Sequence, residues 1–363
     1  MAEIVIDATS IPAELTGAGR YAVGLCRALA ALEGRPDIEV FTTGAARPHF
    51  VSDAPGWAVS TAAPRHRVAR LAAQELLVGR RARRHGARVI HGLHYQLPRA
   101  RGVGLVVTVH DLTLIEHPEW HDRAKVLYFR GAIRSALRRA HAIIVPSEAT
   151  REGLRARFDP RVPVHVVHHG VEGVPRLDHR LARPGRRSLL VLGTLEPRKN
   201  LVRILRAFDA IAEEEPDVIL RFVGKRGWGL GEFDATLAGL RHRRRVEVLG
   251  FVSDEALAGY LSEAAALVYP SLEEGFGLPV LEALAAGLAV VTSKDSVMEE
   301  VAGGFATLVD PTDVGSIAHG MRQALDEARP TERIEAQIAW ARSFTWERAA
   351  ETTLAVYREV AGL

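Results

Sequence analysis

The sequence predicts an α/β protein built from two successive domains, each a parallel sheet covered by helices on both faces. Three features predict it. The chain has 363 residues, too many for one ordinary core and suited to two. Short apolar runs alternate with amphipathic helical stretches from end to end. The alternation breaks once, over 173–187, in a basic stretch that holds Pro175 and Pro184 and lacks clear periodicity.

Taken in order, strands are expected over 3–7, 38–43, 89–91, 104–110, 142–146 and 164–168, where aliphatic and β-branched residues run together as a doubly covered sheet requires. Helical patterns lie between them, over 21–32 and 122–139. Residues 1–172 form the first domain and 173–187 the linker. The rhythm then restarts, with strands over 188–192, 218–223, 246–249, 266–269 and 289–292 and helices over 200–214, 254–264, 279–286 and 314–328. This second domain covers 188–343. Residues 344–363 carry one more helix, to Val360. Ligands of such sheets sit outside the carboxyl ends of the strands, which puts a substrate in the cleft between the domains.

Composition narrows the function. Hydrophobic residues make up 47% and charged residues 25%, typical of a soluble globular protein. No run of 18 apolar residues is present to span a bilayer. The start, Met1 to Asp7, has an acid and no basic segment before its first apolar run, so it reads as a strand rather than a signal peptide. The single cysteine, Cys26, excludes an intrachain disulfide framework. Together these favour the cytoplasm. The net charge of +3 is uneven: residues 1–175 hold 24 basic and 16 acidic residues (+8), and the rest hold 23 and 28 (−5). Within 61–100 stand nine arginines and one acid, Glu75. That surface is either a solvated face or a place that meets anionic lipid, at the inner membrane face, or a phosphorylated acceptor. Nucleic acid is disfavoured, because no aromatics interleave with the basic residues and no nucleic-acid motif appears.

The stretch EGFGLPVLEA, Glu274 to Ala283, carries the chemistry. Pro279 suits the first turn of a helix, having no N–H to waste, and Gly287 suits its end. The preceding loop, with Phe276 between Gly275 and Gly277 and with Leu278 after it, feeds unpaired N–H groups toward an anion, and its glycines let that anion come close. A diphosphate is the expected guest. Glu274, in the loop, lies beyond the anion. Glu282, expected on the first turn, turns its acceptor-only carboxylate toward vicinal hydroxyls such as a ribose diol. A guest with a diphosphate between a ribose and a second hydroxyl-rich group is a nucleotide sugar. The bland alternative, a capped helix with glutamates at its favourable end, explains neither the glycines nor Tyr269-Pro-Ser just before them.

The segment from Tyr269 to Gly287 resembles the E-x7-E signature of glycosyltransferase family 4, retaining enzymes of the GT-B fold, in which two Rossmann-like α/β/α domains face each other across a cleft. The resemblance covers almost the whole chain and is nearest to bacterial mannosyltransferase-like members. It implies that Leu192–Asn200, with Thr194, Arg198 and Lys199, is the phosphate-binding turn. It implies that Gly224, Phe251 and Val252 belong to segments flanking the donor's base and phosphates. It implies that the loop with Gly17 and Gly19 closes over the donor, that His110 faces the donor sugar, and that His91 and His94 lie in first-domain substrate loops. Many members carry an arginine where this chain has Thr194, so the phosphate clamp here falls to Arg198 and Lys199 together.

On their own residues these sites read as follows. Arg198 and Lys199 follow Pro197 just before a helix that Asn200 would cap, and neutralise charge that grows on a departing diphosphate. His110 ends an apolar run, and Asp111 orients it or binds sugar. For His91, His94 and Asp111 acceptor contact stands beside a purely structural use. None of the histidines has metal-ligand spacing, and the family resembled needs no metal and no cofactor beyond the nucleotide sugar. Gly17-Ala-Gly-Arg-Tyr-Ala22 is not a dinucleotide fingerprint, since the next strand ends at Thr43 without an acid. Glu300 is a weaker site candidate.

The expected activity is transfer of a hexosyl group, mannose first, from a nucleoside diphosphate sugar such as GDP-mannose to a hydroxyl acceptor. Two other classes compete: a sugar-nucleotide epimerase or hydrolase of the same fold, revealed by a changed sugar or by turnover without acceptor, and a noncatalytic nucleotide-sugar binder. The intact Glu274, Glu282, Arg198 and Lys199 argue against the last.

Overall fold

The computed structural model describes residues 3–362 apart from 13, 16, 54–56, 64–76, 175, 177–186 and 327–328. Most of the expected linker and part of the arginine-rich 61–100 region therefore lie outside the described residues. The chain divides into two compact units, Met1–Gly170 with Phe344–Leu363, and Val171–Ser343.

The first unit is built on seven strands: β1 (Ile4–Asp7), β2 (Ile38–Thr43), β3 (Ala58–Ala63), β4 (Val89–Gly92), β5 (Gly104–Thr108), β6 (Ala142–Val145) and β7 (Val164–Val166). Their order is β3-β2-β1-β4-β5-β6-β7, and every pairing is parallel. Strand β3 was not expected from the sequence; its alanines and Ser60 give a weaker apolar run than its neighbours. Side chains alternate across the sheet as the pleat demands. Ile4, Ile6, Val40, Val106 and Ile144 enter the core on one face, and Val5, Phe41, Leu105, Val107 and Ile143 the core on the other. The first core holds helices Gly17–Ala31 and Trp346–Ala361 against the sheet. Gly24 allows this: a Cβ there would lie 2.4 Å from the Trp346 ring.

The second unit has six parallel strands: β8 (Arg187–Leu192), β9 (Val218–Val223), β10 (Val246–Gly250), β11 (Ala264–Tyr269), β12 (Ala289–Ser293) and β13 (Thr307–Val309). Their order is β10-β9-β8-β11-β12-β13. Helices Leu201–Ile211 and Val314–Asp326 cover one face through Ile204, Leu205, Phe208, Ile317 and Met321. Strand β13 is only three residues long, which explains why no sequence period marks it. Among the described residues no helix is long and apolar enough to cross a membrane.

Candidate active site

The strand order of the second unit selects the place. The chain leaves β8 toward β9 on one side and β11 toward β12 on the other, so the loops after β8 and β11 diverge and leave a crevice at the carboxyl ends. After β8 come Gly193–Glu196, a 3₁₀ turn Pro197–Lys199, and Asn200 at φ 61°, from which helix Leu201–Ile211 starts. After β11 comes the loop ending at Gly277, whose φ of 94° suits glycine and starts helix Leu278–Ala286. Asn200 does not cap its helix with its side chain. Its left-handed backbone carries the turn, and its amide Nδ2 donates to the Pro270 and Pro311 carbonyls at 2.9 and 2.6 Å. Leu272 N donates to the Arg198 carbonyl at 2.8 Å, so the two loops are tied twice.

Between these loops sits an ionic cluster. Glu274 Oε2 accepts from Arg198 Nη1, and Oε1 accepts from Lys199 Nζ. The Tyr269 hydroxyl donates to the same Oε1 at 2.9 Å and accepts from Lys199 Nζ. The ammonium also stands 4.6 Å from the Tyr269 ring centroid. On its far side Arg198 donates from Nε to Glu196 Oε1. Glu274 and Lys199 are each 8% exposed at the side chain and Arg198 20%. Burial opposes the ionisation of Glu274, but the Arg198 and Lys199 charges outweigh it and hold the carboxyl down to about 2. Burial, with Arg198 beside it, lowers the Lys199 pKa. Burial, with Glu274 beside it, raises the Tyr269 hydroxyl well above its ordinary value. The cluster sets two cations, Arg198 and Lys199, against two carboxylates, Glu274 and Glu196, in a partly dry place; an anion with two or more oxygens that took the place of Glu274 would meet both cations.

Comparison with known proteins places the chain in a family. The family models "Glycosyltransferase Family 4" and "Glycosyl transferases group 1" match residues 15–172 and 178–339. The chain belongs to glycosyltransferase family 4. Like the family as a whole, it is a glycosyltransferase. The O-antigen chain mannosyltransferase B of Escherichia coli is 29% identical over 385 residues, covering 98% of this chain and 99% of that one. Among solved structures, HepE of Anabaena in complex with UDP and glucose aligns with a TM-score of 0.73 at 19% identity over 98% and 99% of the two chains. Sucrose-phosphate synthase of Thermosynechococcus elongatus aligns at 0.68 and 20% identity over 99% and 96%. These likenesses show the fold, the two-domain GT-B class.

In the second unit of this glycosyltransferase, the structure brings together Arg198, Lys199 and Glu274. Glu282 stands in the second turn of helix Leu278–Ala286, a correction to the first-turn expectation, because the helix begins at Leu278 and Pro279 is not its first residue. Phe276 and Gly277 are buried, and Leu278 is partly exposed. Gly224, at φ 145°, has a packing reason of its own: a Cβ there would fall 1.9 Å from the Gly193 carbonyl oxygen, so glycine lets the loops after β8 and β9 meet. The Thr194 methyl lies beside Gly227, where a Cβ would approach it to 2.9 Å. Phe251 is 72% exposed after β10, and Val252 is partly exposed. Glu300, in helix Val297–Ala302, is partly exposed.

The first unit corrects several expectations for the transferase. Gly17 and Gly19 begin helix Gly17–Ala31 instead of forming a loop, and Gly19 makes room for the Leu15 side chain, 3.0 Å from where its Cβ would be. His91 is fully buried, with Nδ1 2.6 Å from the Tyr357 hydroxyl and Nε2 2.8 Å from Thr108 Oγ1. Thr108 Oγ1 is also 2.9 Å from the Tyr21 hydroxyl. With both nitrogens engaged inside the core, His91 is structural and does not meet an acceptor. Asp111 turns to Thr113, whose N and Oγ1 donate to its Oδ1 at 3.1 and 2.8 Å, and so neither of those bonds orients His110. His110 is 2.8 Å from the Leu93 carbonyl through Nε2, just beyond the end of β5 at Thr108. His94 and His110 do come together, their ring centroids 5.4 Å apart, and His94 Nδ1 is buried with no hydrogen-bond partner among the described residues. Burial lowers the pKa of each, to about 3 for His94, so both rings are neutral.

Two members of the cluster were given no role from the sequence: Glu196 and Tyr269. Glu196 stands two residues from Arg198, and Tyr269, which opens the signature segment, ends β11 five residues before Glu274, so the signal for each was its closeness to Arg198 or Glu274.

Proposed function

We propose that this glycosyltransferase moves a hexosyl group, mannose first, from a nucleoside diphosphate sugar to a hydroxyl of a saccharide, lipid-linked or small-molecule acceptor, with retention of anomeric configuration. The observation that carries the proposal is the Arg198–Glu274–Lys199 cluster beside the glycine-initiated helix Leu278–Ala286. As the glycosidic C–O bond breaks, negative charge grows on the diphosphate. Arg198, Lys199 and the backbone N–H groups at Gly277 and Leu278 meet that charge, and such stabilisation accelerates the step because it is strongest in the transition state. Glu274, displaced from the cations by the diphosphate, turns to the sugar hydroxyls. Glu282 accepts from the ribose diol. Thr194 supplies a hydroxyl, and Phe251 and Val252 flank the base. The departing phosphate takes the acceptor's proton on the same face, which accounts for retention. His94 and His110, neutral donors or acceptors of the first unit, are assigned to sugar hydroxyls. No metal or other cofactor is called for.

Mannose and GDP-mannose are supported by likeness to the O-antigen chain mannosyltransferase B of Escherichia coli. A nucleoside diphosphate is supported in general by the UDP that HepE holds. Thermal shift with GDP-, UDP- and ADP-sugars, on the wild type and on Glu282→Ala, tests the reading. GDP-mannose is expected to raise the midpoint most, and the variant to lose that gain. A larger shift with a UDP-sugar would replace the donor, and no shift with any would overturn the donor site.

The same proposal includes an anionic membrane surface for the first unit. Helix Arg123–Arg139 carries six basic and no acidic residues among its 17, and Leu127 on it is 78% exposed. Basic side chains around an exposed leucine suit an anionic headgroup layer. Sedimentation with phosphatidylglycerol vesicles is expected at low salt, fading as salt rises; absence of binding at low salt would remove this part.

A further inference from the structure

The Lys199 ammonium has an anchor that the donor would not displace. It is nearly buried, and a buried ammonium needs acceptors for its three protons. It has two, Glu274 Oε1 and the Tyr269 hydroxyl, with the Tyr269 ring face as a further attraction. The hydroxyl lies between the charges. It accepts from Lys199 and donates to Glu274 Oε1 at 2.9 Å. Tyr269 itself is 2% exposed at the end of β11, so its ring is fixed by the sheet and not by the loop. If Glu274 leaves the cations for sugar hydroxyls, Lys199 loses its charged partner. A lysine has a flexible four-carbon stem and no fork geometry to hold it in register. Arg198 would still be held by Glu196 on its Nε side. Tyr269 is the matching anchor for Lys199.

We propose that Tyr269 is a positioning residue: its hydroxyl and ring face hold the Lys199 ammonium in place for the donor diphosphate after Glu274 has turned away. Tyr269 acts through Lys199 and does not itself touch the donor. This rests on the donor-diphosphate role proposed for Lys199.

The test is a double-mutant cycle on the full chain, with GDP, UDP and inorganic pyrophosphate titrated calorimetrically into the wild type, Tyr269→Phe, Lys199→Met and the double variant. Tyr269→Phe keeps the ring and removes the hydroxyl. It is expected to weaken binding of the diphosphate about tenfold in the wild-type background and less than about twofold in the Lys199→Met background, because residues that act through one another are not additive. An equal loss in both backgrounds, or wild-type affinity in Tyr269→Phe, would overturn the proposal while leaving the donor site intact. If Lys199→Met binds as the wild type does, or the wild type binds none of the three, the donor-diphosphate role falls, and the proposal with it. A readout on the unaltered protein guards against a variant that fails to fold. Lys199 is one of four lysines, with Lys125, Lys225 and Lys294, so ¹⁵N-lysine spectra resolve it. Its ammonium protons should stay protected from exchange when GDP is added, and their loss on addition of GDP would count against the anchor.

Discussion

Asn200 donates its side-chain amide to the Pro270 carbonyl at 2.9 Å, joining the loops that follow β8 and β11. The same residue sits at φ 61°. Asn200→Ala should therefore lose both the tie and a residue that tolerates left-handed backbone, lowering stability by about 2–4 kcal/mol. Asn200→Gly keeps the backbone freedom and should lose less. Urea unfolding of both variants checks this, and equal losses would show that the conformation of residue 200 contributes nothing.

The charge state of Glu274 makes the second unit acid-sensitive. Its carboxyl is held at about 2 against an ordinary 4.5. A depressed carboxyl contributes stability that is present above the unfolded pKa and is lost as pH falls through the folded one. The contribution is on the order of 3 kcal/mol. Glu274→Gln should be less stable than the wild type at pH 7, with the difference shrinking between about pH 5 and pH 2. A difference that stays constant over that range would detach the ion pairs from stability.

Histidines make the first unit sensitive at higher pH. Burial holds His91 and His94 at about 3, so the unfolded chain takes up protons near 6.5 that the folded chain refuses. Stability present above pH 6.5 is thus lost as pH falls toward 3, at about 1.4 kcal/mol per histidine per pH unit. Between pH 6.5 and 5, hydrogen exchange should accelerate in the first unit before the second. Earlier opening of the second unit would contradict this.

Gly24 and Trp346 share one space. Gly24→Ala should clash with the indole and lower the thermal midpoint, with a loss of about 1–3 kcal/mol. In a Trp346→Leu background the same change should be nearly neutral. Calorimetry of the four proteins decides it, and equal effects in both backgrounds would place the strain elsewhere.

Local signals in the chain were enough for most of the elements, β3 and β13 excepted, and for Arg198, Lys199 and Glu274 of the site. The doubly buried apolar runs marked β1, β2 and β8 because a parallel sheet leaves no polar face on its strands. Gly277 and Gly287 bracketed helix Leu278–Ala286 because only such residues take the left-handed backbone at both ends. Arg198, Lys199 and Glu274 were legible by type and by their position at strand ends. What they do to one another was not. Glu274 lies 76 residues from Arg198 in the chain, and only the order β8-β11, with β9 and β12 drawn to opposite sides, brings their loops together. The same holds for His91, which lies near the carboxyl end of β4 as a substrate ligand would, but whose two nitrogens are taken by Thr108 and Tyr357. Chain-local physics determined where backbone could turn, stack and be buried; which charges and hydroxyls became partners was decided by tertiary structure, because partnership depends on distance in space and no local pattern encodes it.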